Sequence, residues 1–290
     1  AQWSCAICDR FDWRGRVRVT LFGYTSRFAP WEPMATPFAL GMFNYSATPA
    51  GAETFRQFYH IAVALLTARG IQPTHFAADG KGQSGKMTRL GRAAHQRLLA
   101  GDFMGLTFLG LDAVPNDSDE PAYHLTLSIG LLSNPDLGTE LVLYSKDDRL
   151  AFEIAVVQDV INELAKLLDW DFGYATQAPL EYSPRAYITG YTDGTQSEDE
   201  EHRISLWYDA PPEARMTKPR NIYPLSLLNS AQLNVRTGTS ESLRERLLNT
   251  PGCTLQAATP DRLWLVTVEP EAVLALRSSL TGTGALIEAG

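Results

Sequence analysis

The sequence predicts an α+β fold: a mixed, mainly antiparallel sheet with helices packed on one face. Strand-like segments come in consecutive groups instead of alternating strictly with helices. Two long segments carry apolar residues at helical spacing. A hydrophobic fraction of 44% over 290 residues is enough to bury a sizeable core.

Residues 1–18 read as an irregular N-terminal arm, and 19–290 as one domain or as two sub-lobes meeting near 203–220. "RVRVTLFGY" (16–24) alternates like a strand, and "FALGMFNYSA" is a second one after a Pro-rich passage. Thr48 as N-cap, Pro49 at the first helical position and Gly70 as the stop bracket a helix whose core face holds Phe55, Phe58, Tyr59, Ala62, Leu65 and Leu66. "THFAA" reads as a strand and "MTRLGRAAHQRLLA" as a short helix. Three strands follow: "MGLTFLGL", "AYHLTLSIGLL" and "TELVLYS". "RLAFEIAVVQDVINELAKLLD" carries the best amphipathic stripe in the chain. Then come strands "FGYAT" and "RAYITGYT", a polar gap, and strand "RISLWYDA". The C-terminal part holds helical "YPLSLLNSAQL" and "SLRERLLN", strands "TLQAA" and "RLWLVTV", a helix opening at Pro270 and a short "GALIE".

The longest apolar runs, such as "HIAVALLTA", are too short to span a bilayer, so no membrane partner is expected. Cys5, Cys8 and Cys253 are an odd set, which argues against a disulfide framework. With no secretion signal visible, a cytoplasmic location is the expectation.

"DGKGQSGKMTRLG" (79–91) matches most of the phosphate-loop pattern G-x-x-x-x-G-K-[ST], but Met87 stands where the magnesium-binding hydroxyl belongs. A thioether does not bind that hard cation, and Thr88 is displaced by one residue. The stretch therefore reads as a connector, and no cofactor is expected. Cys5-x-x-Cys8 is half of a zinc or redox motif without its second pair. His60, His75, His95, His124 and His202 stand alone, outside any metal-binding spacing, so no metal site is expected. No catalytic residue is assigned, and the chain reads as a non-enzyme.

Charge is the most informative feature. Residues 112–202 hold 19 acidic against 4 basic residues, a net −15 inside a chain of net −8. Residues 1–111 carry +6 and 203–290 carry +1. Such a surface repels free nucleic acid, so no direct nucleic-acid binding is expected. It attracts a partner with a basic face. The candidate partner-binding residues are Asp169 and Asp171 in "LLDWDFGYA", then Asp193, and Glu198, Asp199, Glu200 and Glu201 in "SEDEEH", read as a hairpin tip. Asp169 and Asp171 flank Trp170 at strand spacing, which leaves open an alternative reading as the paired carboxylates of a hydrolase or metal-dependent enzyme. Tyr174, Tyr182, Tyr187, Tyr191, Trp207 and Tyr208 lie in the same stretch and offer the buried anchor that tight binding requires.

"PRNIYPLSLLNSAQLN" (219–234), followed by "SLRERLLN" and "DRLWLVTVEPEAVLALRSSLTGTGALI", resembles the bacterial immunity protein 52 family from about Val19 to the C-terminus. The resemblance implies a non-enzymatic antidote of a type VI or polymorphic toxin system, which binds a cognate toxin of restriction-endonuclease-like fold. It carries over no catalytic residues. A nuclease toxin presents a basic groove to its substrate, and a concentrated acidic face suits that groove. "RNIYP" itself reads as a rigid turn before a helix, part of the fold and not a site.

Overall fold

"FALGMFN" is apolar on both of its alternating sides, and the fold uses both. In the computed structural model, which describes residues 36–45, 48–114, 126–135, 138–177, 188, 198–238 and 241–287, this segment is β1 (Phe38–Asn44), near the middle of an 11-stranded sheet. The other elements are α1 (Ala52–Thr67), β2 (His75–Gly80), β3 (Gln83–Ser84), β4 (Thr88–Arg89), α2 (Ala93–Ala100), β5 (Leu106–Ala113), β6 (Leu127–Asn134), β7 (Gly138–Ser145), α3 (Ile154–Leu164) and β8 (Phe172–Gln177). There follow α4 (Glu198–Asp209), α5 (Pro212–Thr217), β9 (Leu225–Asn229), α6 (Ser230–Leu233), α7 (Leu243–Leu248), β10 (Cys253–Thr259), β11 (Leu263–Val268) and α8 (Pro270–Leu280). The strand order is β10-β11-β9-β8-β1-β7-β6-β5-β2-β3, with β4 also on β2, and every pairing is antiparallel.

The α+β class with an antiparallel sheet is as expected, but the helices are divided between two faces. Phe38, Leu40 and Met42 point into a core with Phe55, Phe58, Ala62, Leu65 and Leu66 of α1 and Val157, Val160, Ile161 and Leu164 of α3. Ala39 and Phe43 point the other way, to Trp207 of α4, Leu243 and Leu247 of α7, and Val273, Leu276 and Leu280 of α8. Helices α1 to α3 cover one face and those from α4 onward the other, because the strands between them are apolar on both sides.

Where β1 and β8 cross this core the backbones come close. A Cβ on Gly173 would lie 2.7 Å from the Gly41 carbonyl oxygen, so a hydrogen is the only side chain that fits.

Four local expectations are corrected. Helix α1 begins at Ala52 behind Gly51, not at Pro49, although Gly70 at φ +69° closes it as expected. "MTRLGRAAHQRLLA" splits into β4, paired to β2, and the shorter α2. "SEDEEH" and "RISLWYDA" are not a hairpin tip and a strand but one helix, α4, which buries Ile204 and Trp207 three residues apart. Its acidic run lies at the N-terminus, where negative charge complements the helix dipole. "YPLSLLNSAQL" is not one helix. Leu225, Leu227 and Leu228 form β9 between β8 and β11, and helix begins only at Ser230 behind an Asn229–Gln232 capping box.

The expected strand at 16–24 and all of "RAYITGYT" except Ile188, which is buried, lie outside the described residues. The glycine-rich stretch is a connector, as expected. Asp79 pairs with Ser84 and Gly80 with Gln83, so Lys81 and Gly82 form a two-residue hairpin turn. The next helix begins only at Ala93, leaving no helix N-terminus behind Lys86 to hold phosphate.

Candidate functional site

The strand register brings several chain ends to one end of the sheet. Asn44 closes β1, Asn134 closes β6 and Asn229 closes β9, while Gly138, Phe172 and Leu263 open β7, β8 and β11 beside them. Asp169, Asp171, Tyr45 and Arg262 flank these ends and converge there.

Asp171 is half-buried and tied on three sides. Its Oδ2 accepts the Tyr45 backbone N–H at 2.8 Å, its own N–H donates to the Phe43 carbonyl at 2.8 Å, and its carbonyl accepts Asn229 Nδ2 at 2.9 Å. Burial raises its carboxyl above the ordinary value, against the opposing pull of the Tyr45 N–H and the Arg262 charge. Asp169 is exposed and forms an ion pair with Arg262, and its carbonyl accepts Asn44 Nδ2 at 2.6 Å. Trp170 between them is buried, its indole N–H donating to the Leu164 carbonyl at 2.9 Å. The two carboxylates are thus brought to one end of the sheet, each with its own partner.

Helix α4 packs over this end. The Trp207 ring meets Phe43 edge-on with centroids 5.2 Å apart and lies 6.4 Å from Tyr45. Arg215 of α5 is buried with its guanidinium 5.0 Å from the Tyr45 ring and 5.7 Å from that of Trp207. Burial drives the Tyr45 hydroxyl well above its ordinary range, so it stays protonated. Glu198, Asp199 and Glu200 form the first turn of α4, and their side chains lie outside the described atoms, as does all of Asp193. Glu201 is half-buried, its Oε1 sealed from solvent without a hydrogen-bond partner.

Among the proposed anchors, Tyr174 and Trp207 belong to the core, Tyr208 is exposed, and Tyr182, Tyr187 and Tyr191 fall outside the described residues. The "RNIYP" segment is structural, as expected, but it precedes a strand. Arg220 is fully buried and donates to the Tyr174 hydroxyl at 2.8 Å, Tyr223 stacks on Tyr174 at 4.0 Å, and Arg277 Nε donates to the Ile222 carbonyl at 2.6 Å.

Sequence reasoning missed Arg215 and Tyr45. A signal was there for the arginine: no acidic residue stands three or four positions from it, so it has no local ion-pair partner on its helix.

Asp148, Glu153, Asp159, Glu163 and Asp169 are exposed on and around α3, where Arg149 is exposed too, Lys166 pairs with Glu163 and Arg262 with Asp169, whereas Lys81, Lys86, Arg89, Arg92 and Arg97 are exposed along the β2–β4 edge and α2. Among the described residues no three His, Cys, Asp or Glu side chains are grouped to hold a metal ion, and no helix is long and apolar enough to cross a membrane. Cys253 is a free half-buried thiol that burial pushes up to about 11, and Cys5 and Cys8 lie outside the described residues.

No protein-family model matches the chain, and no curated protein matches it. A solved structure described as "Pseudomonas aeruginosa T6SS protein PA0821" is similar in outline, at 13% identity and a TM-score of 0.49, over 87% of this chain and 73% of that one. A likeness of that size carries no conclusion about this chain's function.

Proposed function

We propose that the protein is a cytoplasmic, non-enzymatic immunity protein that binds and inhibits a cognate secreted toxin with a basic face, of the nuclease kind. The observation that carries this reading is charge: −15 is concentrated in residues 112–202. Asp148, Glu153 and Asp159 are exposed on and around α3 beside the ion-paired Glu163 and Asp169, and four consecutive acids open α4. Such a field speeds encounter with a cation-rich partner and makes association depend on salt. The C-terminal resemblance to the immunity protein 52 family supports the same reading from the sequence side.

The hydrolase alternative is weakened by the bonds that hold its carboxylates. Asp171 is engaged by a backbone amide and Asp169 by an arginine, and neither arrangement presents a free acid–base pair. The experiment is to look for a toxin gene beside this one and to co-express its product with the protein, followed by co-purification and a growth assay; the lack of any such gene also counts against the proposal. Co-purification with restored growth supports the proposal. Growth inhibition that persists with both proteins present contradicts it.

A further inference from the structure

The stretch from Lys81 to Gly101 holds five cations, Lys81, Lys86, Arg89, Arg92 and Arg97, and no carboxylate. All five are exposed, and none forms an ion pair or a side-chain hydrogen bond among the described residues. Beside them Met104 is 73% exposed. The loop that carries it holds it outward. Asp102 and Phe103 take φ +53° and +61°, a region that residues other than glycine rarely adopt. Phe103 is buried with its ring 5.6 Å from that of Tyr59, Asp102 is tied to Arg56, and the Gly105 carbonyl accepts the Lys81 N–H at 2.8 Å. An exposed, adaptable thioether rimmed by cations fits a protein surface that is apolar at its centre and acidic at its margin.

This chain carries such a surface itself. The first turn of α3 exposes Ile154, at 45%, and Ala155, with Asp148, Glu153 and Asp159 exposed around them. Arg149 nearby is held by Asp147 and by the Gly70 carbonyl. Helices α1, α2 and α3 lie on one face of the sheet, since Leu98 of α2 shares its core with the other two. Helix α2 sits beside β4 at the sheet edge, whereas α1 lies over β5 and β6 and against α3, so α1 stands between the basic and the acidic patch. Its outward stripe, Gln57, His60, Ala64 and Thr67, holds no carboxylate, lysine or arginine. We propose that this face joins two copies of the chain in a two-fold dimer, with α1 against its counterpart at the axis. Met104 and its cations on each copy meet Ile154 and its acids on the other, so both contacts form at once and the assembly closes. Opposite charges across both contacts steer the encounter. Helix α4 lies on the other face and keeps its acidic start free.

The test needs no toxin, so its failure leaves the immunity reading standing. Analytical ultracentrifugation of the full chain is expected to show a dimer at low ionic strength that dissociates as salt is added. Met104→Ser, which changes no charge, is expected to raise the dissociation constant about tenfold. The Lys81→Glu, Arg97→Glu and the Glu153→Lys, Asp159→Lys double variants are each expected to be monomeric, because like charges then face each other. Mixed together they are expected to form a heterodimer, since both contacts regain opposite charges; a merely structural effect of the substitutions would not restore association. A wild-type protein that is monomeric at low salt, a dimer indifferent to salt, or a mixture that stays monomeric overturns the proposal. Should either double variant fail to fold, the salt dependence of the wild type and the Met104→Ser protein decide.

Discussion

The Asp171 carboxylate accepts the backbone N–H of Tyr45 at 2.8 Å, joining positions 126 residues apart. That bond caps β1 at the sheet end over which α4 packs. It also separates a structural from a catalytic role for Asp171. An Asp171→Ala change leaves the amide without its acceptor and is expected to cost about 1 kcal/mol, the low end for a partly buried group. Asp171→Asn keeps an acceptor oxygen and removes a half-buried charge, so its stability at pH 7 is expected to equal or exceed that of the parent. Denaturant midpoints check both, and a folded Asp171→Asn protein that loses a measured hydrolytic activity would favour the enzyme reading.

The same residue sets a pH dependence. Its carboxyl is raised above 3.8 by burial, so the fold prefers the protonated form. The stability this provides is complete below about pH 3.8 and is lost as pH rises through the folded-state value. Asp171→Asn is expected to flatten that part of the stability–pH curve in urea titrations.

His95 works in the opposite direction. Gly91 N–H donates to its Nδ1 at 3.1 Å, which leaves the proton on Nε2, facing the Tyr59 hydroxyl at 3.0 Å. Burial lowers its pKa from 6.5, and His75 is lowered too, by burial and by Arg89. The neutral rings are favoured in the fold, so stability is complete above about pH 6.5 and falls as pH drops through the window below it. His95→Gln is expected to reduce that slope to what His75 leaves, measured as the urea midpoint between pH 7.5 and 5.5.

Gly173 tests the pairing of β1 and β8. A methyl group there would meet the Gly41 carbonyl at 2.7 Å and the Leu227 side chain at 2.9 Å. Gly173→Ala is expected to destabilise by about 1–3 kcal/mol through overpacking, read as a lowered Tm. An unchanged Tm would mean the strands separate more easily than their packing implies.

The acidic run has two roles, which two kinds of substitution separate. Changing Glu198, Asp199, Glu200 and Glu201 to glutamine or asparagine removes the field while keeping side-chain size. Reversal to lysine also opposes the helix dipole at the start of α4, at about 0.3–1 kcal/mol per charge. Neutral variants are therefore expected to slow association and to lower Tm modestly, as the favourable dipole interaction is lost, and lysine variants to lower both further.

Much of the fold is legible because its periodicity is strong. The stripe of α1, the alternation through β5 to β7 and the apolar face of α3 each match one template. β9 was misread because Leu225, Leu227 and Leu228 are buried in a strand covered on both faces, a short apolar run that periodicity does not distinguish from helix. α4 was misread because Ile204 and Leu206 mimic strand alternation, while the residues it buries most deeply are Ile204 and Trp207. Its acidic start was the better signal. Asp169 and Asp171 were legible as a pair, but not the backbone amide and the arginine that engage them, since Tyr45 and Arg262 are distant in sequence.

The central claim is that the acidic surface meets a cation-rich toxin. Stopped-flow association of the purified protein with the toxin it co-purifies with, from low to high ionic strength, tests it most directly. The account predicts a rate that falls steeply with added salt and falls again when the α4 acids are neutralised. A rate indifferent to both salt and those substitutions would contradict it.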